Sequence, residues 1–239
     1  MTNKHTFILV HGAWHASWCW ARVARQLRAQ GHHVLTPDLP GHGALIRPAH
    51  TVTFTDYVNH ICQLAKEQPE PVTLVGHSMA GLIISEVADQ IPEHVQELVF
   101  LSAYIPRNQE SLASIAKSSA SHNLSPYLII DEVKRKINLK PTPHLMTVFY
   151  DCCSPEDAQD AFSRLQAQPY QPFIAPVTVG DNFNRIPKRA LIATQDQVLL
   201  SVDQLSMSQR VTDRIIPINA DHASWFSAEN DIVHVLLNE

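Results

Sequence analysis

Short apolar runs alternate along the chain with stretches whose apolar positions recur every three to four residues. The first pattern belongs to strands buried on both faces, the second to amphipathic helices. Residues 6–10 (Thr-Phe-Ile-Leu-Val) are the first such run. Residues 17–30 are the first helical stretch, with Trp20, Val23, Ala24 and Leu27 on one face. Ser17 can cap that helix, and Gly31 stands where a left-handed C-terminal residue belongs. Further strands are predicted at 33–36, 72–75, 98–101, 190–193 and 215–218, and helices at 53–67, 82–89 and 228–237. Thr53 and Asp56 have the spacing of a capping box.

Between residues 105 and 186 the alternation gives way to proline-punctuated, mostly helical sequence at 110–118, 130–136 and 155–165. Ser154 before Pro155, Glu156 and Asp157 is a start signal for the last of these. Strands alternating with helices predict an α/β fold, a mostly parallel central sheet with helices on both faces. The irregular middle predicts a helical cap inserted at the C-terminal edge of that sheet. Residues 1–104 and 187–239 then form the core domain and 105–186 the cap.

A chain of 239 residues suits one domain carrying an insertion, and 45% hydrophobic with 17% charged residues excludes wholesale disorder. The net charge is −5 with no Lys/Arg-rich block, which excludes nucleic acid as a partner class. No apolar run approaches 18 residues, so no membrane span is expected. Residues 7–10 are too short for the apolar region of a leader. Cys19, Cys62, Cys152 and Cys153 contain no CxxC spacing and build no disulfide framework, which points to reduced thiols in the cytoplasm. Five of the seven glycines (Gly12, Gly41, Gly43, Gly76, Gly81) fall in loops after strands, where open sheets bind ligands.

The sharpest motif lies at residues 72–81, Val-Thr-Leu-Val-Gly-His-Ser-Met-Ala-Gly. A strand, then Gly-x-Ser-x-small, then a helix describes a nucleophile elbow that exposes the Ser78 hydroxyl at a helix N-terminus. A serine hydroxyl needs a base. His222 follows the last predicted strand and Asp196 the one before it, giving the chain order serine, acid, histidine. Ser78 would attack, His222 would move the proton, and Asp196 would hold the imidazole tautomer. Asp203 and Asp221 are the rival acids. An oxyanion needs two preorganised donors. The N–H of Met79, just after the serine, and that of Ala13, after the first strand, are the candidates.

These stretches resemble the α/β-hydrolases, in particular the methylesterase and hydroxynitrile-lyase group with its bacterial esterase members. The matching residues are Val10-His11-Gly12-Ala13-Trp14-His15, Gly76-His77-Ser78-Met79-Ala80-Gly81, Thr194-Gln195-Asp196 and Ala220-Asp221-His222. Residues 149–157, Phe-Tyr-Asp-Cys-Cys-Ser-Pro-Glu-Asp, resemble a cap stretch of bacterial members. The resemblance implies a small helical cap over the triad, ester hydrolysis and no cofactor. The lyases carry Thr or Asn at the position of Gly12, and the S-selective ones a Lys directly after the histidine, where this chain has Ala223. Ala80 departs from the glycine that most members have there.

Fourteen histidines raise the question of a metal. His11 and His15 are four apart, but in a loop and without a third ligand, so no metal is expected. His32, His33, His42 and His50 are expected in solvent. Gly12, Trp14, His15, Tyr104, Phe149, Phe173 and Trp225 are the expected substrate-pocket residues. The expected activity is that of a serine carboxylesterase acting on small to medium neutral esters, aryl or methyl esters among them. Its partner is a small-molecule ester, with monomer and homodimer left open. The rival readings are a carbon–carbon lyase, a hydrolase-like ligand receptor, an amidase and a lactonase.

Overall fold

The computed structural model describes residues 4–238. The ends of the predicted core range, residues 1–3 and 239, lie outside it. The chain runs through β1 (Thr6–Val10), α1 (Ala21–Ala29), β2 (His33–Leu35), α2 (Phe54–Lys66), β3 (Val72–His77), α3 (Ala80–Gln90) and β4 (Val95–Leu101). Further elements follow β4 before the central sheet resumes. These are α4 (Leu112–Ser118), β5 (Leu128–Asp131), β6 (Lys136–Leu139), α5 (Pro143–Tyr150), α6 (Pro155–Ser163), β7 (Gln168–Pro169), α7 (Gln171–Ile174) and α8 (Asp181–Arg185). The core resumes with β8 (Lys188–Ala193), α9 (Ser201–Ser208), β9 (Ile215–Ile218), α10 (Ser224–Ser227) and α11 (Glu229–Leu237).

Six parallel strands form the central sheet in the order β2-β1-β3-β4-β8-β9. The runs at residues 7–10, 74–75, 98–101 and 190–193 are apolar on both faces, as strands covered by helices on both sides require. From β1 the chain steps one way to β2 and then back across β1 to β3. Right-handed crossovers in opposite directions put α1 on one face and α2 and α3 on the other. α1 packs with α11, and α2 with α3. The reversal leaves a crevice between the C-terminal ends of β1 and β3, the place where open α/β sheets bind ligands. The loop carrying Gly12 and Ala13 and the turn carrying Ser78 both open into it. Among the described residues no helix is long and apolar enough to cross a membrane.

The local signals act as their chemistry requires. Thr53 and Asp56 form the capping box of α2. Ser154 caps α6 through the Asp157 N–H. Gly31 has φ +89°.

The insertion differs from the helical reading in one respect. Residues 130–136 do not form a helix. β5, β6 and β7 make a small antiparallel sheet in which Leu128 faces Leu139 and Asp131 faces Lys136. The Asp131 carboxylate accepts the Lys134 N–H, and Arg135 adopts φ 52°. That turn chemistry closes a hairpin where the apolar spacing alone suggested a helical turn.

The insertion is tied to the core near the crevice. The Trp14 indole N–H donates to the Ile137 carbonyl at 3.1 Å, and the Trp14 carbonyl accepts the Gln166 N–H at 2.8 Å. Arg22 on α1 holds the Asp157 carboxylate of α6.

Candidate active site

The turn between β3 and α3 places Ser78 at φ 54°, a left-handed conformation that a residue with a Cβ adopts only when its surroundings impose it. Those surroundings are specific. The Ser78 N–H donates to the Leu101 carbonyl, and the Ser78 carbonyl accepts from both Gly81 and Tyr104. A Cβ on Gly81 would sit 2.1 Å from the Tyr104 carbonyl oxygen, so glycine is required for α3 to dock there. Ala80, the departure from the family pattern, is fully buried as the first residue of α3.

Gly12 has the same role on the other side. A Cβ there would stand 2.9 Å from both His77 Nδ1 and Ser78 Cβ. The bare glycine lets the loop after β1 close on the serine. The N–H groups of Ala13 and Met79 have no hydrogen-bond acceptor among the described residues. Both residues line one pocket with Ser78. Two unused backbone donors beside a serine in a largely apolar pocket can receive a developing oxyanion.

The His222 Nδ1–H donates to Asp196 Oδ2 at 2.8 Å, with both side chains buried. Asp196 is itself held on every side. Its Oδ1 accepts the N–H groups of Val198 and Leu199, and Oδ2 also accepts the Gln204 amide. Neither rival acid faces the imidazole. Asp203 accepts from Ser121 and the Ala120 N–H. Asp221 accepts from the Cys152 N–H, the Cys153 thiol and Ser227, and burial raises its pKa. The His222 carbonyl accepts the His77 Nε2–H at 2.9 Å, joining this loop to the residue before Ser78. Ser78 Oγ makes no hydrogen bond to His222 in this geometry. Nδ1 is engaged, so Nε2 is the nitrogen left to serve the serine, and such contacts tighten when substrate binds.

The pocket beside Ser78 has a volume of about 60 Å³ and is lined chiefly by Trp14, Tyr104, Leu112, Leu124, Leu128, Phe173 and Val198, with no charged side chain. Of the residues expected there, Trp14, Tyr104 and Phe173 are present. Gly12, His15, Phe149 and Trp225 are not among its walls. Trp225 lies behind the base, its ring 4.3 Å from that of His77 and edge-on to it. His15 packs between Trp225 and Phe149, and Phe149 lies edge-on between Trp14 and His222. Sequence nearness to His222 or Ala13 does not tell on which side of the loop a ring is packed. Leu112, Leu124 and Leu128 escape the sequence reading because they come from the insertion, whose placement no local signal gives. A larger hollow of about 220 Å³ lies within the insertion and does not include Ser78.

His11 and His15 spend both ring nitrogens on the protein. His11 donates to the Gly12 carbonyl and accepts the Leu39 N–H, while His15 donates to the Ala13 carbonyl and takes the Tyr150 hydroxyl. Among the described residues no group of three or more His, Cys, Asp or Glu could hold a metal ion. His42, expected in solvent, is fully buried against His11 and Tyr57, because the loop after β2 folds under α2.

Burial pulls the pKa of His11 and His15 to about 3 and that of His42 to about 4, and His77 lies well below 6.5 for the same reason. In the unfolded chain these groups titrate near 6.5. Between pH 6.5 and about 4 the unfolded chain therefore binds more protons, and stability falls as the pH falls through that window. Above pH 6.5 the contribution is complete. Four such histidines give a limiting slope of about 5 kcal/mol per pH unit. Urea unfolding followed by tryptophan fluorescence should show a flat midpoint from pH 7 to 8 and a steep decline below 6. A midpoint unchanged from pH 7 to 5 would contradict the neutral, buried state of these rings.

The alpha/beta hydrolase family model matches residues 7–234. The chain belongs to that family. Its relatives include a carbendazim hydrolyzing esterase of Nocardioides sp. (strain SG-4G), 36% identical over 125 residues, 52% of this chain and 52% of that protein. Methylesterase 10 of Arabidopsis thaliana is 37% identical over 107 residues, 44% of this chain and 39% of that protein. The chain thus spans about half the length, or less, of these curated relatives. A pyrethroid hydrolase from Sphingobium faniae JZ-2 has the same fold. It superposes with a TM-score of 0.89 over 98% of this chain and 96% of its own, at 22% identity.

Proposed function

We propose that the protein is a serine carboxylesterase for small to medium neutral esters, aryl and methyl esters among them. One observation carries this reading. The strained Ser78 and the two unused N–H groups of Ala13 and Met79 open into one small pocket without a charged wall. Ser78 Oγ attacks the ester carbonyl carbon while His222 Nε2 takes its proton, and the Ala13 and Met79 N–H groups hold the oxyanion. The alcohol leaves with that proton. Water, deprotonated by the same nitrogen, then attacks the acyl-enzyme and releases the acid. Asp196 keeps the imidazole proton on Nδ1 throughout and stabilises the charged ring. A carbon–carbon lyase would use the same base. Gly12 and Ala223 depart from the residues that the lyases carry at these two places, so hydrolysis is the reading we adopt.

The test is a 4-nitrophenyl ester series, acetate through decanoate, with and without a fluorophosphonate that phosphonylates activated serines. We expect turnover with an optimum at short acyl chains, lost in proportion to phosphonate incorporated, and the mass increment on the peptide containing Ser78. Folded protein that turns over no ester, or label on another residue, would overturn the reading.

A further inference from the structure

Tyr104 is the one phenol in the wall of the Ser78 pocket. The residue is 8% exposed, and its N–H donates to the Ser78 carbonyl, fixing it to the elbow. Its hydroxyl has no hydrogen-bond partner among the described residues. The oxygen is not sealed off from solvent, and the residue is one of those that line the pocket. Asp196 and Asp203, the carboxylates whose charge the phenol feels, are both engaged elsewhere. Asp196 accepts from Val198, Leu199, Gln204 and His222, and Asp203 from Ala120 and Ser121. Burial holds the phenol protonated well past its ordinary range, so it is a donor wherever the protein is folded. A phenol that is not spent on the protein and lines the pocket is free to donate to a group placed there.

We propose that the Tyr104 hydroxyl is a specificity-determining donor to an uncharged oxygen acceptor carried by the substrate arm that fills this pocket. The inference rests on the esterase reading of the same site. The acceptor is of the ether, ketone or hydroxyl class. A carboxylate is excluded, because two carboxylate side chains lie close enough to act on the phenol and no cation lines the pocket. A purely hydrocarbon arm of the same shape strips the hydroxyl of water and returns nothing. Sites built to hydrogen-bond a substrate group discriminate against the analogue that lacks it.

Isosteric ester pairs test this on both arms. On the acyl side, 4-nitrophenyl 3-methoxypropanoate and 4-methoxybutanoate are compared with the pentanoate and hexanoate. On the alcohol side, 2-methoxyethyl acetate is compared with butyl acetate. In at least one pair the wild type should favour the ether in kcat/KM by about tenfold, although the ether is the less hydrophobic partner. In Tyr104→Phe that ratio should invert in favour of the hydrocarbon. The same pairs bound to Ser78→Ala, followed by calorimetry, should show the same order in Kd. Hydrocarbon preference in every pair for the wild type overturns the proposal without any variant. So does an ether preference that persists in Tyr104→Phe. If the wild type turns over no ester, the esterase reading fails, and the calorimetric ratio still decides whether Tyr104 selects an oxygen acceptor.

Discussion

Replacing Ser78 by alanine is expected to lower kcat for 4-nitrophenyl acetate by about 10⁶-fold while leaving the fold intact, the size of loss seen when a serine protease is stripped of its nucleophile. The size follows from the arrangement. With Oγ gone, His222 and Asp196 have no proton to move, and only the Ala13 and Met79 donors remain to polarise an ester toward water. The stability should hardly change, for three reasons. Alanine keeps the Cβ, so the strain at φ 54° is the same in both chains. The backbone bonds to Leu101, Gly81 and Tyr104 do not involve the side chain. Among the described residues Ser78 Oγ makes no hydrogen bond that the substitution would remove. Circular dichroism and thermal unfolding should therefore place the variant within a few degrees of the wild type. A variant retaining a tenth of the activity would move the nucleophile elsewhere. A variant that fails to fold would mean that the hydroxyl is a structural turn element.

How far the sequence discloses this arrangement varies with the kind of constraint. β1, β3, β4 and β8 are legible because an uninterrupted apolar run of strand length, followed at once by glycine or a polar turn, is buried on both faces in any packing. The elbow is legible because Gly76 is demanded by the Ala80 carbonyl four residues on, although the demand for Gly81 comes from Tyr104 in the loop after β4. The pairing of His222 with Asp196 is legible in outline, since parallel strands deliver their following loops to one edge. The choice of Asp196 over Asp221 is not. It depends on Cys152, Cys153 and Ser227 surrounding Asp221, and two of these come from the insertion. The insertion reads worst. Ile129 and Ile130 remain exposed, so their positions carry no periodicity that points to a core. His42 is equally opaque, because the residues that bury it, His11 and Tyr57, are distant in sequence and nothing adjacent to it is apolar enough to announce burial. Local chemistry is visible in the sequence, and the side on which a distant element covers it is not.

Asp196→Asn is the second severe change, with an expected fall in kcat of about 10⁴-fold and little change in KM. The hydrogen bonds around the carboxylate decide which way the amide would sit. Oδ1 accepts two backbone N–H groups, from Val198 and Leu199. An amide NH₂ in that place would set donors against donors, so the asparagine oxygen must stay there. The NH₂ then takes the place of Oδ2 and faces His222 Nδ1 and the Gln204 amide. A donor at that position accepts no proton from Nδ1. It instead forces the imidazole into the tautomer with hydrogen on Nε2, and the nitrogen meant to serve Ser78 is no longer a base. The Gln204 amide must also turn away from it, which costs about 1 kcal/mol of stability for one lost hydrogen bond. The measurement is kcat and KM on a 4-nitrophenyl ester beside the ¹⁵N chemical shifts of the His222 ring. A 10⁴-fold loss with the proton on Nε2 would establish Asp196 as the group that sets the tautomer. A loss of only a few-fold, with the proton still on Nδ1, would mean that the His222 loop holds the ring by its packing against His77 and Phe149 instead.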